Sequence, residues 1–172
     1  MSIETILQEH LDSGKLVLLE STLTGDETAR LMAVSADVEA VVTPPFADTE
    51  EGKRFAEFRA WIDGFLEGNE LSVSEDPFEK PPDTMFARVD PVEKEFWSIR
   101  VMDPEDTPGI RGFGGFAGLD VFVALTWALR EDIDDFDNEV TEIEDTWRDY
   151  FDDEPPFSGD SLDEYLTTYY FG

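Results

Sequence analysis

Residues 96–130 read FWSIRVMDPEDTPGIRGFGGFAGLDVFVALTWALR, the most apolar and least acidic stretch of a very acidic chain. Its opening, 96–101, is aromatic and β-branched, a composition that suits a pleated, half-buried surface. The eight residues that follow hold two prolines and a glycine and predict a loop closing a hairpin. A second strand is expected over 110–116, where Gly112, Gly114 and Gly115 mark a kink or a close backbone approach. A tight turn at 117–119 leads into 120–129. There Val121, Val123, Leu125 and Trp127 alternate with Phe122, Ala124, Thr126 and Ala128, apolar on both faces, as in a central strand covered from both sides. Three strands in sequence predict an antiparallel meander over 96–129.

Working outward, Ser2 caps a first helix with Ile3, Ile6, Leu7, His10 and Leu11 on one face and Gly14 as its stop. A short strand or buried run follows at 15–20, then a turn-rich segment at 21–26. Over 28–42 the pattern is mixed, with Val38, Val41 and Val42 available for another strand. An amphipathic helix is expected over 49–67, with Phe55, Phe58, Trp61, Ile62, Phe65 and Leu66 as its stripe and an acidic first turn. Short strands are expected at 71–75 and 84–89, separated by the Pro-rich loop DPFEKPPD. A further amphipathic helix spans 138–151, capped by Asn138, with Val140, Ile143, Trp147, Tyr150 and Phe151 on one side. Ser161 and Glu164 form a capping box that predicts a last helix over 161–170. The expected fold is therefore α+β in one domain: an N-terminal region over 1–48, a core over 49–130 and an acidic helical region over 131–172. An antiparallel sheet of four to six strands is packed by helices 49–67, 138–151 and 161–170.

Charge is the strongest compositional fact. Forty-two acids against 12 bases give a net charge of −30 over 172 residues. The 13% aromatic content argues for a packed core over a disordered polyanion. A field of this sign repels nucleic acid and anionic membranes and favours basic partners. The chain has no cysteine, so disulfides, thiolate metal sites and a cysteine nucleophile are excluded. No apolar run approaches the ~20 residues of a membrane span, and the acidic start lacks the basic region of a signal peptide. The expected location is cytoplasmic.

Candidate sites are few. His10, the single histidine, reads as a boundary residue of the first helix. The run DIDDFDNE lacks the glycine and oxygen spacing of a calcium loop, and no metal or cofactor is expected. GFGGFAG lacks a phosphate cradle's spacing and reads as a glycine-kinked strand. Carboxylate pairs are too numerous for one to stand out as an acid and base, so no catalytic residue is assigned. Two groups remain. One is the acidic run Asp132, Asp134, Asp135, Asp137, Glu139, Glu142, Glu144, Asp145, Asp149, Asp152, Asp153 and Glu154, a surface for a basic partner. The other is Arg100, Arg111 and Arg130, which with Arg88 lie in or beside the expected strands. They either pair with carboxylates at the sheet margin or form a small cationic site.

The succession W-x-I-R, I-R-x-F-x-x-F and D-V-F-V-A-L ending at Arg130 resembles the strand order of RelE/HigB-type toxins, and proteins of similar size from proteobacterial genomes and mobile elements. That resemblance covers about 35 residues. It implies helices packed on an antiparallel sheet and ribosome-dependent mRNA cleavage, with Arg100, Arg111 and Arg130 at the positions of cationic site residues. The reversed charge and the EDIDDFD segment in place of a basic tail depart from that family. In charge, the chain is similar to the nucleic-acid mimics among phage anti-restriction and anti-CRISPR proteins. The leading expectation is a non-enzymatic inhibitor or decoy that binds a basic protein or nucleoprotein complex, without direct nucleic-acid or membrane contact, self-association being open. The alternatives are a toxin-fold protein with lost or altered ribonuclease activity, and a phage structural or salt-adapted protein.

Overall fold

A computed structural model describes residues 1–22, 29–103 and 107–171. The turn expected over 21–26 and the middle of the 102–109 loop lie partly outside these. The described residues form one sheet and four α-helices: α1 (Ile3–Ser13), β1 (Val17–Leu18), β2 (Leu31–Val34), α2 (Ala36–Val42), α3 (Glu50–Leu66), β3 (Ser72–Ser74), β4 (Phe86–Arg88), β5 (Trp97–Val101), β6 (Ile110–Gly118), β7 (Val121–Leu129), α4 (Phe136–Phe151) and β8 (Tyr170–Phe171). The fold is α+β, but the sheet corrects the expected four-to-six-stranded antiparallel one. It has eight strands in the order β1-β2-β7-β6-β5-β4-β3-β8 and is mixed. Strands β4, β5, β6 and β7 pair antiparallel. The β2–β7, β3–β4 and β3–β8 pairs are parallel.

Local sequence accounts for the helices. The Ser2 and Thr49 hydroxyls accept from the backbone N–H of Thr5 and Gly52, and so cap α1 and α3. Helix α4 begins two residues earlier than expected, because Asp135 rather than Asn138 caps it, accepting from the Asp137 N–H at 2.9 Å. The strand open to Val38, Val41 and Val42 is instead helix α2, capped by Ser35. The last helix is also corrected. The capping box of Ser161 and Glu164 closes only one 3₁₀ turn, Leu162–Glu164. Asp120 then diverts the chain: its N–H donates to the Tyr165 carbonyl and its carboxylate accepts from Thr167. The backbone continues extended and pairs with β3 as β8.

Helices cover both faces. Against α2 and α3 lies a core that includes Met32, Val34, Phe58, Phe65, Phe86, Trp97, Phe116, Phe122 and Tyr165. Against α1 and α4 lies a second core, with Leu7, Phe113, Val123, Leu125, Ile143, Trp147 and Phe151. The alternation expected along β7 breaks at a bulge. Phe113 pairs with Thr126 but Gly114 pairs with Ala124, leaving one extra residue in β7. Beyond it Trp127 joins the α3 core and Ala128 the α4 core, the reverse of the expected faces.

The α1/α4 layer packs on β6 and β7. Over β3, β4 and β5 its place is taken by the loop after β3. Because β3 and β4 are parallel, the chain cannot turn back on itself and must cross a face of the sheet. The Pro-rich segment 75–85 makes that crossing.

Candidate anion-binding pocket

Under this crossing, beyond the first turn of α4, lies a concavity of about 350 Å³. Five of its 13 lining residues are basic: Lys80, Arg88, Arg100, Arg111 and Arg130. The chain has only 12 lysines and arginines. Asp90 and Asp137 are the carboxylates on the wall, which Phe78, Phe136 and Ser98 also line.

The sheet register builds the centre. Arg100 on β5 and Arg111 on β6 are directly opposite Cα partners. Their neighbours Ile99, Val101 and Ile110 belong to the α3 core, so alternation sends both arginines to the other face. Arg130 follows β7 directly and lies over the Phe136 ring, with Cζ 5.3 Å from its centroid. Lys80 arrives on the crossing loop, its ammonium donating to the Pro77 carbonyl.

None of Lys80, Arg100, Arg111 and Arg130 makes an ion pair among the described residues. Each arginine spends one hydrogen bond on a carbonyl: Arg100 on Thr84 at 2.7 Å, Arg111 on Ile110 at 3.2 Å and Arg130 on Ile133 at 3.3 Å. A guanidinium carries five N–H donors, so most of this capacity is not taken up by the described residues. The other internal arginines behave differently. Arg30 pairs with Asp120, Arg59 with Asp63, and Arg88 with Glu95 beneath the ring of Trp97. Arg54 meets both oxygens of Glu131, at 2.6 and 2.7 Å. Of the two expectations for the arginines, carboxylate pairing holds for Arg88, while among the described residues Arg100, Arg111 and Arg130 make no such pair.

The electrostatics differ accordingly. Arg111 is only 7% exposed; burial, and then Arg100 and Arg130, push its guanidinium down to about 10. Burial also lowers Arg100, with Arg130 adding to it and Asp83 opposing. Lys80 is lowered by burial first and next by Arg100. Like charges facing each other across adjacent strands destabilise a sheet. A cation taken out of water without a counter-charge costs several kcal/mol. An anion bound here would supply the missing counter-charge, and bidentate contacts suit the planar guanidinium.

The predicted acidic run is distributed differently. Asp132, Asp134, Asp135, Asp137, Glu142, Asp145, Asp149, Asp152 and Asp153 are exposed, and Glu139, Glu144 and Glu154 half-buried. Asp137 lines the arginine pocket, Asp135 caps α4, and Glu144 pairs with Lys94 and Arg148. Among the described residues no group of three or more His, Asp or Glu side chains could hold a metal ion, and no helix is long and apolar enough to cross a membrane. His10 lies between α1 and α4, its Nε2 2.5 Å from the Tyr150 carbonyl oxygen.

Sequence reasoning names the three arginines but misses Phe78, Lys80 and Phe136. The signal for Lys80 was present: it is one of only four lysines, set in a loop of acids and prolines. No protein-family model, curated protein or solved structure matches this chain.

Proposed function

We propose that the protein binds an anionic ligand in the pocket built by Arg100, Arg111, Arg130 and Lys80. One observation carries this reading. In a chain with 42 acids, five cations line one concavity, and four of them, Lys80, Arg100, Arg111 and Arg130, have no carboxylate partner among the described residues. A structural arginine beside so many acids is readily paired, as Arg30, Arg54, Arg59 and Arg88 are. The test is thermal unfolding in phosphate, pyrophosphate and sulfate against chloride at matched ionic strength. A site-bound anion raises the melting temperature through mass action, and the rise disappears in Arg111→Met. Equal melting temperatures in all the salts contradict the reading.

A second reading concerns the shell. Nine of the twelve carboxylates from Asp132 to Glu154 named above are exposed, which favours docking on a basic protein or nucleoprotein surface, in the manner of a nucleic-acid mimic. Such association is steered by the field and weakens with salt. A partner retained at low salt and released at high salt supports it; retention unaffected by salt counts against it.

A further inference from the structure

The mouth of the pocket carries two exposed aromatic rings. Phe78 is 75% exposed and Phe136 36%. An exposed phenylalanine is ordinary when it stands alone. Phe78 is different because its backbone is fixed while its ring is left in water. The Asp76 carboxylate accepts from the N–H groups of Phe78 at 2.8 Å and Glu79 at 3.2 Å, and Ser74 Oγ donates to the Asp76 carbonyl at 3.0 Å. Prolines at 77, 81 and 82 stiffen the rest of the crossing. An exposed ring on a fixed backbone at the rim of a cationic pocket is placed to serve as a stacking platform beside a phosphate site.

We infer that the ligand is a small phosphorylated compound carrying a planar ring, a nucleoside monophosphate in kind, with its phosphate on Arg100, Arg111 and Arg130 and its ring against Phe78. This rests on the anion-site reading above. Charge balance supports a dianion: four cations with no ion pair among the described residues line the wall together with two carboxylates, Asp90 and Asp137. A volume of about 350 Å³ suits a ligand of that size. A polymer fits badly, because phosphates beyond the pocket would lie over a surface that carries the bulk of a −30 charge.

Calorimetric titration of the full chain with adenosine 5′-monophosphate, ribose 5-phosphate and inorganic phosphate tests this. The monophosphate binds at least about tenfold more tightly than ribose 5-phosphate. Phe78→Ala removes that advantage and leaves ribose 5-phosphate binding unchanged; the substituted ring is exposed, so the fold is retained. Equal binding of the nucleotide and the ribose phosphate, both lost in Arg111→Met, overturns the ring inference and leaves the anion site standing. No binding of any of the three overturns both. A short single-stranded RNA that binds more tightly than the monophosphate at ~0.15 M salt overturns the small-ligand inference in favour of a polymer.

Discussion

Arg100 and Arg111 stand directly opposite one another on β5 and β6, side chains on the same face, with no carboxylate paired to either among the described residues. Apolar pairs or opposite charges at such a position stabilise a sheet, whereas like charges destabilise it. The arrangement is costly for the fold and useful for holding an anion.

Removing the buried charge at the centre of the pocket therefore stabilises the protein. The folded chain disfavours protonated Arg111, since burial, and then Arg100 and Arg130, pull its guanidinium down from its ordinary value to about 10. Below about pH 10 the charged form opposes folding. Arg111→Met keeps most of the volume and is expected to raise stability by about 1–3 kcal/mol at neutral pH. It abolishes the phosphate-dependent gain in melting temperature. A large loss of stability in this variant would show that Arg111 is structural.

Arg54 and Glu131 make the opposite prediction. The Arg54 hydrogen bond draws the Glu131 carboxyl down to about 2 from 4.5. The pair contributes stability that is present above pH 4.5 and lost as pH falls toward 2. Glu131 is 42% exposed on its side chain, so screening leaves roughly 1–2 kcal/mol to lose in Glu131→Gln at neutral pH. Acid titration of stability should show a shallower slope between about pH 4.5 and 2 in that variant than in the parent.

Gly114 sits where the sheet leaves no room for a side chain. A Cβ there would lie 1.8 Å from the Val123 carbonyl oxygen, at the bulge that redirects Trp127. Gly114→Ala is expected to cost about 3 kcal/mol or more, seen as a marked fall in denaturation midpoint. An unchanged midpoint would mean that the bulge can be dissolved.

Salt should stabilise the fold. At −30 the folded shell repels itself, and screening lessens that repulsion. The melting temperature should climb from low salt to molar sodium chloride. An unchanged or lower value would place the burden of stability on ion pairs such as Lys94–Glu144 instead.

Those elements that bury an apolar stripe were the legible ones. The periodicity of Phe58, Trp61, Ile62 and Phe65 finds α3, and that of Val140, Ile143 and Trp147 finds the body of α4. The mixed sheet was not legible, for a physical reason. Strands β1, β3, β4 and β8 have two or three residues, too few to show a period. Whether they pair parallel depends on crossings that leave no local pattern. The final turn shows the same limit: its capping box is satisfied, yet Asp120, more than 40 residues away in sequence, decides where the chain goes next. The arginines were legible as residues and not as a site. Their convergence needs the β5–β6 register together with the end of β7, and Phe78 and Lys80 come from a crossing loop whose path only the sheet order reveals.

The most direct test of the central claim is to watch the arginines themselves. In a ¹⁵N-labelled protein the side-chain N–H resonances of Arg100, Arg111 and Arg130 are followed while inorganic phosphate is titrated in. Saturable shifts at these three, with Arg30, Arg54 and Arg59 unmoved, are the predicted result. No shift at the three, or small unsaturable shifts spread over all the arginines, would contradict an anion site in this pocket.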